Sequence, residues 1–470
     1  MTTAATRSID WAARAMGGTI VQPGTRGPTF AGAATDNRTV VSGQLFFALP
    51  GERVDGFDFA SAAVAAGAAG VVVARERGTP PGCADAAVIA VDDPRRALGA
   101  LASAARAEYR GLVVAVTGSN GKTTTKELCA AALAPLGSVL RTAGNLNTDV
   151  GMPLTILGAT GNEAAWVLEM AMRARGEIAT LTEIAQPAIG VITNVSAAHL
   201  ETLGSLENIA RAKGELFAGL RDGAWAVLPA TDPLITAQAA HIRADRRLTF
   251  GGRSSGDVRV LEAAPAGARG MVVRYAVRDV PVVVRLPLAG AHNATNGAAA
   301  LAVAHAAGVA PVAAAAALEK VALPPHRSAV VAAGGRSILD DCYNANPASM
   351  SAALSTVVAA AGGASASARA FAVLGDMLEL GADAEEMHRA LGREAGVRLA
   401  GVVALGSFAG AIADGARAAG LAVDRTKIAK SPEEAAAVMA SWSAPGDWIL
   451  VKASRGMRLE RVVDALRGGL

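Results

Sequence analysis

Aromatic residues make up only 4% of the chain, so its cores have to be filled by Val, Leu and Ile, while the abundant alanines each bury little area. Cysteine is nearly absent. Cys83, Cys129 and Cys342 are odd in number, far apart and without metal-ligand spacing. That pattern excludes a disulfide framework and points to buried structural thiols in a reducing compartment. Charge of one sign is never concentrated. The formal net charge is +3, and no basic stripe is interleaved with aromatics, which excludes a nucleic-acid surface and a DNA-dependent motor. Long hydrophobic runs are missing too. Residues 60–74 and 294–318 are rich in Ala and Gly, and the second run is broken by Asn296 and His305, so neither is expected to insert in a membrane. Arg7, Asp10 and Arg14 interrupt the start where a secretory leader would need an apolar run. A soluble cytoplasmic protein is expected.

What remains is a chain able to bury large cores. Of 470 residues, 52% are hydrophobic and 18% charged, and the length suits two to four domains. Residues 40–49 read as a strand, 59–69 as a helix, 71–74 as a buried strand and 94–109 as a helix ending before Gly111. From Leu112 strands alternate with helices: strands at 113–116, 139–142, 166–170 and 189–193, and a helix at 124–133. Such alternation predicts a parallel sheet covered on both faces. Residues 221–287 carry short strands with turn signals, an antiparallel excursion, and an Ala-rich helix after His292 closes the segment near Lys320. Beyond Leu323, strands at 337–340, 371–374, 402–405 and 448–451 form another doubly wound unit, with residues 360–370 as a loop. The expected fold is α/β in three domains. A smaller N-terminal α/β domain (1–110) precedes a central P-loop-type, doubly wound, mostly parallel sheet (111–322) and a C-terminal Rossmann-like α/β domain (323–470).

The most specific local signal is Thr117-Gly118-Ser119-Asn120-Gly121-Lys122-Thr123-Thr124, between the apolar run 112–116 and a helix. Glycines let successive N–H groups face phosphate oxygens, and the new helix adds its positive end. Lys122 can reach the β/γ-phosphates, and the Thr123 hydroxyl stands where such loops hold Mg²⁺. Val116 replaces the first glycine of the usual pattern, but Gly-Lys-Thr is intact.

Other polar groups stand at expected strand ends. Glu169 follows the strand at 166–168, where a nucleotide's Mg²⁺ finds a second anchor; a plain loop carboxylate is the alternative. His199 lies just past a buried strand and Lys213 on a helix face, positions equally open to structural roles. Asn293 and Asn296 lie on one side of a helix start and could bond a purine edge, or cap the helix. Arg327 precedes the polar turn Asp340-Asp341-Cys342-Tyr343-Asn344-Ala345-Asn346-Pro347.

Six motifs, TGSNGKTTTKE (117–127), GNLNTDVGMPLT (144–155), TNVSAAHLETLGSLENIARAKGE (193–215), HNATN (292–296), DDCYNANPASM (340–350) and LGDMLELG (374–381), occur in that order. Together they resemble the Mur ligase family. YNANP and LGDMLELG resemble the branch that adds D-alanyl-D-alanine, and ATDNRTV (34–40) with LFFALPGERVDGFDFA (45–60) resembles its uridine-nucleotide domain. The likeness runs from about residue 30 to Arg458. It implies an ATP-dependent ligase that joins D-alanyl-D-alanine to UDP-N-acetylmuramoyl-tripeptide through an acyl phosphate, acting as a monomer. It implies ATP phosphates on Gly118–Thr124 with Lys122 central, and one Mg²⁺ on Thr123 and Glu169. A second Mg²⁺ falls to His199, with Lys213 matching the family's carbamoylated lysine. Asn293 and Asn296 would meet adenine, and Arg327, Asp341 and Tyr343 would reach the nucleotide from the third domain. Thr35, Asp36 and Arg38 would line the uridine site, and Asn145 and Asn147 the muramoyl site. Phe57, Ala171 and Ala453 depart from the family's usual His, Gly and Gly without removing a charge or ligand. Two alternatives remain: a sister ligase adding a single amino acid, and a non-ligating nucleotide-binding protein of the same fold.

Overall fold

Strand Trp448–Lys452 shows in five residues how this sequence builds its sheets. Trp448 and Leu450 enter one apolar core, and Ile449 and Val451 enter another, because successive strand side chains point to opposite faces. A strand buried on both sides reads as an unbroken apolar run and needs helices on both faces. The computed structural model describes residues 4–51, 54–196 and 200–468, and the chain forms two units, each assembled from separate stretches.

The first unit comprises Met1–Thr117, Leu136–Gly190 and Glu215–Ala224. Its amino-terminal sheet has the order Thr19–Gln22, Ala87–Val91, Gly70–Ala74, Leu45–Phe47, Ala33–Ala34, parallel except for the first pair. Phe46, Val71, Val73 and Val88 fill its core. The strand expected at 40–49 shrinks to Leu45–Phe47. Ahead of it the Gln44 side chain accepts the Val41 N–H at 2.9 Å and closes a turn instead. The helix expected at 59–69 is likewise short, Ala60–Ala65. Later in the unit, β1 (Leu112–Thr117), β2 (Val139–Arg141) and β3 (Ala165–Glu169) pair in parallel with β3 in the middle. Tyr109 stacks on Trp166 with ring centroids 3.8 Å apart, and its hydroxyl donates to the Glu163 carbonyl. This ties the end of the preceding helix to β3 through a large aromatic contact with its polar tip satisfied.

The second unit comprises Gly118–Pro135, Val191–Gly214 and Trp225–Leu470. Helix α1 (Lys122–Leu133) opens it, and α2 (Leu206–Ala218) carries Lys213. β4 (Trp225–Pro229), β5 (Arg247–Gly251) and β6 (Val258–Pro265) run parallel, and β7 (Met271–Val277) and β8 (Val280–Leu286) add the expected antiparallel excursion. The Ala-rich segment expected as one helix is two, α3 (Ala291–Ala306) and α4 (Pro311–Leu318). Gly308 stops the first with a left-handed φ of 77°, and Pro311 starts the second at its first turn.

The rest of this unit is a six-stranded sheet of β9 (Ala329–Ala333), β10 (Arg336–Asp340), β11 (Ala370–Leu374), β12 (Gly401–Ala404), β13 (Thr426–Ile428) and β14 (Trp448–Lys452). Their order is β9-β10-β14-β11-β12-β13, with only the β9–β10 hairpin antiparallel. Helix α5 (Pro347–Ala364) runs further than expected and leaves only 365–369 irregular, where a loop over 360–370 was expected. Burial of Ala360 and Ala361 in the apolar core, rather than propensity, accompanies the helix into that stretch, which includes the poor helix formers Gly362 and Gly363.

Candidate active site

The phosphate loop is shaped by two glycines that nothing else can replace. Gly118 and Gly121 adopt φ values of 150° and 77°. A Cβ on Gly118 would lie 1.8 Å from Thr193 Oγ1, and one on Gly121 would lie 2.8 Å from Asn296 Oδ1. The segment after residue 192 braces the loop from the side. Thr193 Oγ1 donates to the Asn120 carbonyl at 2.6 Å, and Asn194 both donates to that carbonyl and accepts the Asn120 N–H. Ser196 accepts from the Asn120 amide and donates its N–H to Ser119 Oγ. These partners keep the loop rigid before any ligand arrives.

Helix α1 starts at Gly121 with no side chain capping it. Its first N–H groups stand at the positive end of the helix, an arrangement suited to an anion. Lys122 Nζ rests on the Gly118 and Ser119 carbonyls at 2.9 and 3.3 Å. Thr123 is buried beside it, with Thr124 half-buried at the helix start. Asn293 and Asn296, on α3, come to the same place. Asn293 is 1% exposed and donates its amide N–H to the Ala289 carbonyl at 2.7 Å; Asn296 donates to Asn293 Oδ1 at 3.1 Å. Each amide thus commits one N–H within the protein, and the Asn296 amide end lies against Gly121.

Lys213 is 2% exposed on α2. Burial, reinforced by the Lys122 cation, pushes its ammonium well below the usual lysine range. Both effects disfavour the charged form of the amine. His199, the expected partner in metal binding, lies outside the described residues.

In the first unit, Glu169 ends β3. Its Oε1 accepts the Asn147 amide at 2.8 Å, its N–H donates to Thr142 Oγ1, and its Oε2 is buried with no hydrogen-bond partner among the described residues. A buried carboxylate oxygen without a donor is costly unless a cation takes it. Asn145 is exposed two residues before Asn147. Thr35 and Asp36 follow the strand Ala33–Ala34, and Asp36 caps the turn Asn37–Thr39. The Arg38 guanidinium and N–H, both bonded to Asp36, hold its carboxyl at about 2.

A second polar centre gathers at the carboxyl ends of β10 and β14. Arg327 lies 3.8 Å from the Tyr343 ring centroid, and Arg455 lies 5.6 Å from it. Asp341 Oδ1 accepts from the Ser328 N–H and hydroxyl, and its other oxygen pairs with Lys452, whose side chain is 3% exposed. Lys452 also donates to the Asn344 carbonyl at 3.0 Å. Asn346 caps α5 and donates its amide to Asn120 Oδ1 at 2.6 Å, so the YNANP turn touches the phosphate loop directly. Lys452, Arg455, Asn346 and Asn194 were not singled out by sequence reasoning. The Val-Lys-Ala-Ser-Arg segment (451–455), which begins in the last strand and runs past its end, was the available signal for the first two.

Comparison with known proteins assigns three stretches of the chain. The pattern of the Mur ligase family catalytic domain matches residues 29–106, that of the Mur ligase middle domain 116–304, and that of the Mur ligase glutamate ligase domain 326–455. The chain is 41% identical to the UDP-N-acetylmuramoyl-tripeptide–D-alanyl-D-alanine ligase of Mycobacterium tuberculosis, over 92% of this chain and 91% of the relative. A crystal structure of MurF from Acinetobacter baumannii superimposes with a TM-score of 0.87 at 30% identity, covering 99% of both chains. MurF ligase from Thermotoga maritima in complex with ADP superimposes with a TM-score of 0.82 at 31% identity, covering 93% of this chain and 97% of that one.

Proposed function

This chain belongs to the Mur ligase family, and we infer that it joins D-alanyl-D-alanine to UDP-N-acetylmuramoyl-tripeptide, driven by ATP. The observation that carries the reading is the braced phosphate loop with Asn346 of the YNANP turn bonded to it. This turn is the motif by which the sequence resembles the dipeptide-adding branch, and it stands against a sister ligase that adds one amino acid.

A carboxylate is a poor electrophile. In this reading the tripeptide's terminal carboxylate attacks the γ-phosphorus of ATP, the bond to the β-bridging oxygen breaks, and ADP leaves. The dipeptide amine then attacks the acyl carbon, loses a proton, and phosphate departs. Lys122 moves from the loop carbonyls onto the phosphates, and the uncapped N–H groups of α1 receive the same charge, an electrostatic demand met by fixed donors. Asn296 Oδ1, oriented through Asn293, is assigned to adenine. Arg327, Asp341 and Tyr343 are assigned to the rest of the nucleotide from the 323–470 segment. Water has to be kept from the acyl phosphate, and closure of that segment over the site is the device we assign to it. Thr35, Asp36 and Arg38 are assigned to the uridine moiety, and Asn145 and Asn147 to the muramoyl peptide.

The buried, donorless Oε2 of Glu169 fits a hard cation. We assign Mg²⁺ contacts to Thr123, Glu169, His199 and Lys213, the last as a carbamate formed when its neutral amine adds to CO₂ and loses a proton. When bound, Mg²⁺ neutralises charge on the transferring phosphoryl group. The UDP-linked substrate is water-soluble, and we place the enzyme in the cytoplasm as a monomer. An isotope test checks the mechanism. Heavy oxygen in the tripeptide carboxylate should appear in the released phosphate, one atom per turnover. Unlabelled phosphate would rule out the acyl phosphate.

A further inference from the structure

Beneath the Arg327–Tyr343 stack lies a group of side chains that the ligase reaction does not use. His326 Nδ1 is 2.8 Å from Asp340 Oδ2, and the Cys342 thiol donates to Asp340 Oδ1 at 3.0 Å. One donor atom from each of the three falls within 4.8 Å of the others. Asp340 and Cys342 are buried, and the His326 side chain is 28% exposed, leaving one side of the group open to solvent. Burial pushes the thiol up, and the carboxylates of Asp340, Glu460 and Asp341 add to that. Glu460 Oε2 is itself buried without a hydrogen-bond partner.

The group also occupies a mechanical position. His326 and Ser328 adopt left-handed φ values of 65° and 50° on either side of Arg327. Such backbone in non-glycine residues persists only where its surroundings enforce it. Here the His326 carbonyl accepts the Tyr343 N–H at 3.0 Å, and its ring is held by Asp340.

We propose that His326, Asp340 and Cys342 form a binding site for a zinc-class divalent cation that clamps residues 326–328 to the end of β10. An imidazole, a thiolate and a carboxylate are the borderline-soft set that Zn²⁺ takes, with the exposed side left for a water. On binding, the Sγ–H proton passes to solvent as the Sγ–metal bond forms. The imidazole coordinates through Nδ1 as the neutral tautomer protonated on Nε2, and the two side-chain hydrogen bonds of Asp340 give way to a metal bond while the Cys342 N–H stays on Oδ1. The clamp fixes Arg327 on Tyr343 and so slows turnover. The binding stands on these three side chains alone; only its kinetic consequence rests on the proposed ligase reaction.

Cobalt is the probe, added to the full chain with Mg²⁺ and ATP present to fill oxygen-ligand sites. One equivalent should give a thiolate-to-cobalt charge-transfer band, bleached by Zn²⁺. Cys342→Ala should abolish the band, and Cys342→Ser provides a second, near-isosteric variant if the first does not fold by circular dichroism. His326→Ala should weaken cobalt affinity at least about ten-fold. Absence of the band at saturating Co²⁺, or the same band in the Cys342 variants, overturns the site. One equivalent of Zn²⁺ should slow phosphate release by the parent but not by Cys342→Ala relative to its own zinc-free rate. Equal slowing of both overturns the clamp while leaving the binding result to stand.

Discussion

The Asp341–Lys452 pair should couple the stability of the carboxy-terminal sheet to the nucleotide-facing turn. Lys452 has a side chain only 3% exposed, and it donates to Asp341 and to the Asn344 carbonyl. In Asp341→Asn one oxygen can still accept from Ser328, but an amide NH₂ now faces the ammonium. Removing one partner of a buried pair costs about 3–5 kcal/mol, because the other charge stays buried. Lys452→Met leaves a carboxylate that is 18% exposed and still accepts both Ser328 bonds. Its cost should be smaller, about 1–3 kcal/mol, the range for an incompletely satisfied polar group. In the double variant the amide meets a thioether and no buried charge is stranded. Its loss should therefore fall at least about 2 kcal/mol short of the sum of the singles. Urea unfolding read from tryptophan emission suits the question, because Trp448 is buried four residues before Lys452 on the same strand. Additive losses, or a loss below about 1 kcal/mol for Asp341→Asn, would refute the reasoning.

Three further expectations follow from the site. Gly118→Ala places a Cβ 1.8 Å from Thr193 Oγ1 at a left-handed φ; ATP binding by calorimetry should weaken at least ten-fold, with a stability loss of about 1–3 kcal/mol. Asn346→Ala removes the bond to Asn120 Oδ1 and should raise the KM for ATP several-fold, worth about 1 kcal/mol, while Asn346→Asp at the same cap should preserve helix α5 without restoring the KM. Lys213, unmodified, stays neutral at pH values where the unfolded chain protonates it. Folding then releases a proton, so stability in CO₂-free buffer should rise with pH toward the ordinary lysine value of 10.5; Lys213→Met should remove that slope, and CO₂ depletion should lower the activity of the parent reversibly.

Much of this could be read from the chain because local rules suffice for it. The phosphate loop is continuous in sequence, and strands such as Trp448–Lys452 are apolar runs whose two-sided burial dictates their setting. The contacts that organise the site are of another kind. Asn346 and Asn120 are 226 residues apart, and Lys452 and Asp341 are 111 apart. Nothing in local periodicity joins either pair; sheet order joins the second, by placing β14 next to β10. Asn293 and Asn296 lay between a capping role and a purine-binding one. Their hydrogen bonds tie the start of α3 to the Ala289 carbonyl and to each other, and the Asn296 amide end lies against Gly121 of the loop.

Phosphate release from ATP and Mg²⁺ with UDP-N-acetylmuramoyl-tripeptide, measured with and without D-alanyl-D-alanine and with the product weighed by mass spectrometry, decides whether the chain is a dipeptide-adding ligase. For such a ligase, release and a UDP-N-acetylmuramoyl-pentapeptide are expected only when the dipeptide is present. Turnover with a single amino acid in place of the dipeptide, or ATP binding with no ligated product from any acceptor, would contradict that reading.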